Sequence, residues 1–396
     1  MINKNKIRVY QLLLIAIVFF LSCAKDDQKH GPESGIYIAV SAGGEHTLAL
    51  GDDGSLWAWG WNALGALGDG TLEEKKRPVL IGTGYSAISA GYVHSVALKT
   101  DGTLWTWGRN NYGQLGDGTL IDKSSPVQIG SNYKAISAGK YGEYGEHSLA
   151  LKSDGTLWAW GYNGHGQLGD GTIMTRTIPI KIGSGFTAIS AGGEHSLALK
   201  ANGTLWAWGF NFYGQLGDES MSDKRSPVQI GSDFIAIAAG VIHSIGLKSD
   251  GTLWSWGNGM TGQLGDNTTD TRRDKPVQIG SDFASISTGG SGYFSFFNCA
   301  GSYCLAIKTD GTAWTWGYNC YGQLGDGNTN NIHVVPTQIV SPLITNPTPN
   351  SISAGGDHCF LIAPDGSLWA WGKNEFGQLG DGTTTNKLIP THLGGG

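Results

Sequence analysis

Seven times along this chain a Trp-x-Trp-Gly tetrapeptide is followed by Gly-Gln-Leu-Gly-Asp or a close variant. The indole pairs are Trp57/Trp59, Trp105/Trp107, Trp158/Trp160, Trp206/Trp208, Trp254/Trp256, Trp314/Trp316 and Trp369/Trp371, and only Trp61 lies outside the pattern. A unit of about fifty residues repeated in this way commits the chain to a modular architecture, in which each unit buries its apolar face against the next. A repeat scaffold says how a surface is held; what the surface binds has to come from elsewhere.

The fourth unit shows the local structure. It reads Ala188-Ile-Ser-Ala-Gly192, His195-Ser-Leu-Ala-Leu199, Leu205-Trp-Ala-Trp-Gly209, Gly214-Gln-Leu-Gly-Asp218 and Pro227-Val-Gln-Ile230. The apolar pieces are of strand length and too short for helices. Asp-Gly or Asn-Gly separates the second piece from the third, as at Asp101-Gly102 and Asn202-Gly203, and both residue types accept the positive φ that a tight hairpin requires. Three meandering strands and a proline-bearing fourth, which suits a sheet edge, make a four-stranded blade. Seven such blades predict an all-β, seven-bladed β-propeller over residues 36–396. The first inner-strand motif begins at Ile38 and the last edge-strand motif ends at Leu393, so the ring is complete; the blade that owns the last edge strand is left open.

Residues 1–22 read as a signal peptide: Lys4, Lys6 and Arg8 precede an apolar run from Leu12 to Leu21 that is too short to span a bilayer. The run ends in Phe20-Leu-Ser-Cys23, which resembles the lipobox of bacterial lipoproteins, with Phe20 in place of the usual aliphatic residue. Cys23 is therefore the expected lipidation site, and an ordinary signal peptide with an incidental cysteine is the alternative. Ala24 follows, where an Asp would resemble an inner-membrane retention signal, so outer-membrane sorting is expected. Residues 23–35 read as a polar tether. The expected location is the bacterial cell envelope, through an N-terminal lipid in the membrane, or the medium.

Loss of residues 1–22 removes three basic residues and no acidic one, which takes the net charge from −6 to −9. That balance argues against a phosphate-tracking nucleic-acid binder. Cys299, Cys304, Cys320 and Cys359 lie in the last two units, so in an oxidising compartment one or two local disulfides are expected, with the pairing open. Their spacing does not match a zinc site.

The compound motif Ala-Gly-x-x-His-Ser-Leu-Ala-Leu-Lys-x-Asp-Gly-x-Leu-Trp-x-Trp-Gly-x-Asn-x-x-Gly-Gln-Leu-Gly resembles the regulator of chromosome condensation repeat family, over about residues 36 to 393. The resemblance implies a seven-bladed propeller used as a binding platform. Its members include exchange factors for a small GTPase, regulatory domains, a plant ultraviolet receptor and a secreted bacterial inhibitor of β-lactamases. Export and an acidic charge weigh against the exchange-factor and chromatin roles. The expected function is a protein–protein interaction platform without catalysis, with hydrolase inhibition or carbohydrate binding as alternatives.

Two repeated residues invite sharper readings. Histidine recurs as His46, His94, His147, His195, His243 and His358, with Tyr303 in unit six. Equivalent positions of a propeller are too far apart to share one ion, so buried imidazoles bonded to a neighbouring turn are expected. The recurring Gly-Asp-Gly loops carry one carboxylate each, which predicts turn structure and no calcium site. No catalytic set stands out, and no metal or cofactor is expected. The tryptophans at repeat positions are expected to be buried between blades.

Departures from the repeat are freer to serve binding. Units three and six carry insertions at the same point, Lys140-Tyr-Gly-Glu-Tyr-Gly145 and Gly290 to Cys299. Both should rise at one channel mouth, almost opposite each other. Tyr141, Tyr144, Tyr293, Phe294, Phe296 and Phe297 are the candidate partner-binding anchors; packing into the channel as a plug is the other reading. The partner is expected to be another protein, and the chain a monomer.

Overall fold

The structure, a computed structural model, describes residues 31–140, 146–270, 272–291, 301–329, 331–339 and 352–393. Within them every regular element is a strand, and none is a helix that could cross a membrane. Strands β1 to β28, numbered in chain order, form seven four-stranded antiparallel sheets, each from four consecutive strands. Blade one contains β1 (Tyr37–Ala42), β2 (His46–Gly51), β3 (Leu56–Gly60) and β4 (Lys75–Gly82). The last blade contains β25 (Ile352–Ala354), β26 (His358–Ile362), β27 (Leu368–Gly372) and β28 (Lys387–Leu393). The seven-bladed propeller is the predicted fold, and the last edge strand belongs to its own blade.

The sequence dictates the packing between blades. In blade two the third strand runs opposite the second, with Ser95 facing Trp107 and Ala97 facing Trp105. Small residues opposite both indoles leave that side of the sheet open to rings. The other side carries leucines, and it meets the indole side of the next blade: Leu48, Leu50, Leu56 and Leu67 of blade one pack with Tyr85, Ala97 and Trp107 of blade two. The core is thus a series of interblade layers, built mainly from burial of apolar area.

The ring closes without exchanging a strand. Phe360, Leu368 and Leu379 of blade seven pack on Val40, Trp57 and Trp59 of blade one. The Ala42 N–H donates to Ser353 Oγ at 2.9 Å, and the Gly356 N–H to the Gly43 carbonyl at 2.8 Å. Ahead of β1, Ser34 Oγ donates to Asp52 Oδ1 at 2.5 Å, so the last residues of the expected tether fold onto blade one.

The two tryptophans of each pair share a side of the strand but not an environment. The second is fully buried in all seven blades, and its Nε1 donates to a loop carbonyl of the preceding blade, as Trp107 does to Ala66 at 2.8 Å. The first is only half-buried in six blades, Trp57 being the buried one. It lies near the sheet end and donates to the hairpin, as Trp105 Nε1 does to Thr103 Oγ1 at 2.9 Å. In blades two to six a lysine packs against its ring and a second aromatic, as Lys99 does with Trp105 and Tyr85 at 4.6 and 5.2 Å. The expectation of burial between blades therefore holds for the second indole of every pair and for Trp57, and is corrected for the first indole of the other six blades.

Candidate functional site

The Asp-Gly hairpins lie on one face of the ring. The other face carries the Gly-Gln-Leu-Gly-Asp loops and the Ala-Gly-x-x-His turns, and is called here the loop face. Both insertions start on it.

The histidine turns hold the blades together. His195 Nε2 lies 2.9 Å from Ser244 Oγ of the next blade, and that hydroxyl donates to the Gln215 carbonyl at 2.8 Å. The serine proton is committed to the carbonyl, so the imidazole must carry its own proton on Nε2. The same relay links His46 to Ser95, His94 to Ser148, His147 to Ser196 and, across the closure, His358 to Thr47. In blades five and six the partners are His243 with Cys304 Sγ at 3.2 Å, and Tyr303, whose hydroxyl donates to the His358 carbonyl at 2.8 Å. Burial pushes His46, His147, His195, His243 and His358 down to about 3. The glycine three residues before His46, His94, His195, His243 and His358, and Gly139 before the insertion that leads to His147, make room for the ring: a Cβ on Gly192 would lie 2.6 Å from His195 Cε1. The predicted neighbouring-turn bond is in detail a bond to the next blade's second strand.

The Gly-Asp-Gly loops are turn structure. Asp117 accepts from the Thr119 N–H and hydroxyl at 2.9 and 2.7 Å, from Asn110 Nδ2 at 3.0 Å and from Lys123 at 3.3 Å. Partial burial works against its charge, but these donors together hold the carboxyl below its ordinary value. Asn110 is the hub of the loop. Its Oδ1 accepts the Leu115 N–H at 3.0 Å, and its Nδ2 also reaches the Ile121 carbonyl at 3.3 Å. Equivalent asparagines do this in blades one, three, four and seven. In blade five the hub position is Gly259, and Asn258 takes a different set of bonds.

At the channel mouth on this face a small cavity is lined by Gly43, Gly91, Gly355, Tyr92 and Lys140. Lys140 reaches across the ring from blade three to blade six, where its ammonium donates to Thr288 Oγ1 at 2.7 Å and to the Thr288 carbonyl. Burial pushes that amine down to about 8. Sequence reasoning named Lys140 as the start of an insertion and gave it no role.

Around the mouth, residues flanking the hub asparagine pair across blade boundaries. Tyr112 meets Tyr162 edge-on at 5.3 Å, and His165 tilts against Phe210 at 4.5 Å. Phe212 is 58% exposed and sits edge-on to Tyr213 at 5.1 Å. Lys373 packs on Tyr321 and Phe376 and is held by Glu45 at 2.8 Å and Glu375 at 3.4 Å. Beside it, burial raises Asp357 to about 7. These rim positions are the variable sites of Trp-Gly-x-Asn-x-x-Gly, where no repeated residue flags them.

Tyr141, Tyr144, Tyr293, Phe294, Phe296 and Phe297, the lipidation candidate Cys23, and Cys299 all lie outside the described residues. Cys304 and Cys359 are free and buried, and burial pushes both thiols up, Cys359 to about 12. Cys320 is disulfide-bonded. Among the described residues, no group of three or more His, Cys, Asp or Glu side chains could hold a metal ion.

Residues 21–347 match the family model described as RCC1-like domain, and residues 350–378 and 365–395 match models of the regulator of chromosome condensation (RCC1) repeat. The chain is 36% identical over 97 residues to the E3 ubiquitin-protein ligase HERC2 of Homo sapiens, a match covering 24% of this chain and 2% of that protein. It is 32% identical over 107 residues to the ultraviolet-B receptor UVR8 of Arabidopsis thaliana, covering 27% and 23%. These matches span under a quarter of the relatives' own length. Among solved structures, Prp20p of Saccharomyces cerevisiae, described with its binding properties to Gsp1p and histones, superposes with a TM-score of 0.72 at 23% identity, over 91% of this chain and 88% of that one. Human WBSCR16 gives 0.69 at 22%, over 85% and 88%. At these identities the structural likeness speaks for the fold alone.

Proposed function

The chain belongs to the family of RCC1-like domains, and from that premise we propose that it is an exported, lipid-anchored propeller that binds another protein through its loop face and performs no catalysis itself. The observation that carries this reading is the division of labour on that face. The histidines are spent on blade-to-blade bonds, the loop carboxylates on turns, and Lys140 on a strut across the mouth. Apolar residues such as Phe212 are left turned to solvent on a scaffold that holds them in place. Aromatic side chains of this kind are enriched at interaction sites. The structural relative Prp20p, with its described binding to Gsp1p and histones, fits a platform role for the fold.

The signal-like N-terminus and Cys23 support export and anchoring. Cys23→Ser is expected to move the chain from the membrane pellet to the soluble fraction; unchanged pelleting would reject the anchor. Binding is tested by affinity capture from the source cell's envelope with the full chain, a Phe212→Ser chain, and a chain with Tyr293, Phe294, Phe296 and Phe297 changed to Ser. A protein held by the first and lost by either variant supports the platform. Identical captures by all three, with all equally folded, would reject both sets of anchors.

A further inference from the structure

We propose that the arc of the loop face over blades two to four docks a polypeptide segment that carries an apolar anchor flanked by basic side chains. This rests on the protein-binding reading above and gives it a place and a chemistry.

The place follows from the hub asparagines. Each fixes the backbone of the residue eleven positions further on: Asn110 Nδ2 donates to the Ile121 carbonyl at 3.3 Å, and Asn163 Nδ2 to the Met174 carbonyl at 3.1 Å. Ile121 is 66% exposed and Met174 62% exposed. The equivalent residues are polar elsewhere, as Glu73, Ser222 and Thr385 in blades one, four and seven. At this pinned position a large apolar side chain turned to water is thus a feature of blades two and three and not of blades one, four and seven. Blade four contributes Phe212, whose ring is braced edge-on by Tyr213 and stacks on Phe210 at 6.4 Å. Much of the ordering cost that a docking surface meets on binding has already been met here by the fold.

The chemistry follows from the charges left over. Asp122 and Asp223 occupy the same position in blades two and four, and both are exposed. One oxygen of each is fixed by the N–H of its hub asparagine, at 2.7 Å from Asn110 and 2.9 Å from Asn211. Asp223 also takes His165 Nδ1 at 2.9 Å. Lys123, Arg176 and Lys224 are turned to the aspartates of their own loops, Asp117, Asp170 and Asp218, at 3.3, 2.6 and 3.1 Å, and Arg225, which follows Lys224, is exposed. Arg109 lies over the Tyr112 ring at 5.9 Å. An approaching partner thus meets apolar side chains bracketed by two carboxylates, on a chain of net charge −6. Like charge would be repelled and basic groups drawn in. Ile121 and Met174 present branched and thioether side chains and Phe212 a flat ring, and apolar anchors bracketed by carboxylates complement the apolar and basic side chains of a polypeptide.

The probe is a phage library of random twelve-residue peptides, selected against the native full chain in detergent. Two further chains carry Met174→Ser with Phe212→Ser, and Asp122→Lys with Asp223→Lys; all four sites are exposed, and thermal melts check that folding is intact. The expected result is enrichment of peptides with an apolar core between Lys or Arg residues. Their binding should fall at least about tenfold on the serine variant, which removes two anchors, and the lysine variant should select acidic flanks instead. Enriched peptides that bind the serine variant unchanged would overturn the site while leaving protein binding intact. Peptides indifferent to the charge reversal would overturn the chemistry. No enrichment above the bare support would overturn the proposal and the platform reading together.

Discussion

The interior and the loop-face rim of this propeller are written by the same seven repeats and follow opposite rules. In the interior, position matters more than blade: a buried indole, a buried imidazole in six blades, a hydroxyl or thiol and a loop carbonyl recur around the ring in one arrangement. At the rim, blade matters more than position. The residue after the hub asparagine is Asn111, Gly164, Phe212 and Glu375 in blades two, three, four and seven. Closing a ring from modules requires identical joints, because each must accept the next. The rim has no such duty, and its residues vary from apolar over blades two to four to ionic around Lys373. The repeat thus fixes a frame and leaves the recognition chemistry free to differ from blade to blade.

The largest effect that sharpens this contrast is acid lability. Five buried imidazoles held near pKa 3 keep their protons off in the fold, whereas an unfolded chain takes them up near 6.5. Their contribution to stability is present above about pH 6.5 and is lost as pH falls toward 3. With five protons taken up on unfolding, the slope is on the order of several kcal/mol per pH unit. Circular dichroism against pH should show one steep unfolding transition on the acid side, made shallower by His195→Gln. A fold unchanged at pH 3.5 would break the relay as the joint between blades.

Next come the two indoles of a pair. Trp107→Ala should cost about 3–5 kcal/mol, the range for emptying a buried aromatic site. Trp105→Ala should cost about 1–2 kcal/mol, since its ring is half-exposed and loses mainly the stacked Lys99. Urea denaturation compares them directly, and equal costs would remove the distinction between the inner and outer indole.

Two groups at the mouth titrate in opposite senses. Asp357, raised to about 7, costs the fold stability that is lost as pH rises from about 4 to 7. The melting temperature of Asp357→Asn relative to wild type should therefore climb across that window. Lys140, lowered to about 8, costs the fold stability below that pH, so wild type should gain on Lys140→Met as pH rises from about 8 to 10.5. Flat differences in either scan would mean that the mouth is solvated. The smallest effect on stability belongs to the rim: Phe212→Ser should stay within about 0.5 kcal/mol of wild type, as exposed substitutions do, while losing the partner.

The fold was legible because the motifs carry their own geometry. Alternating Ser and Ala across from the tryptophans, Asp-Gly between strands and a proline in the fourth strand each specify a local shape, and seven copies leave one way to arrange them. Other features depend on what stands next door. The half-exposure of Trp105 comes from its place at the sheet end, which the same Trp-x-Trp spacing cannot show. The Lys140 strut needs blade six opposite blade three and a threonine at 288, where the other inner strands have alanine. Phe212 and Ile121 sit at positions where the repeat tolerates anything, so only exposure in the folded ring marks them.

The most direct test of the division between frame and rim is photocrosslinking in the source cell, with a benzophenone amino acid at position 212 on the loop face or at Ile235, 59% exposed, on the hairpin face. A protein adduct formed from position 212 and absent from position 235 is the expected result. Adducts from position 235 alone, or from neither site in a folded chain, would contradict it.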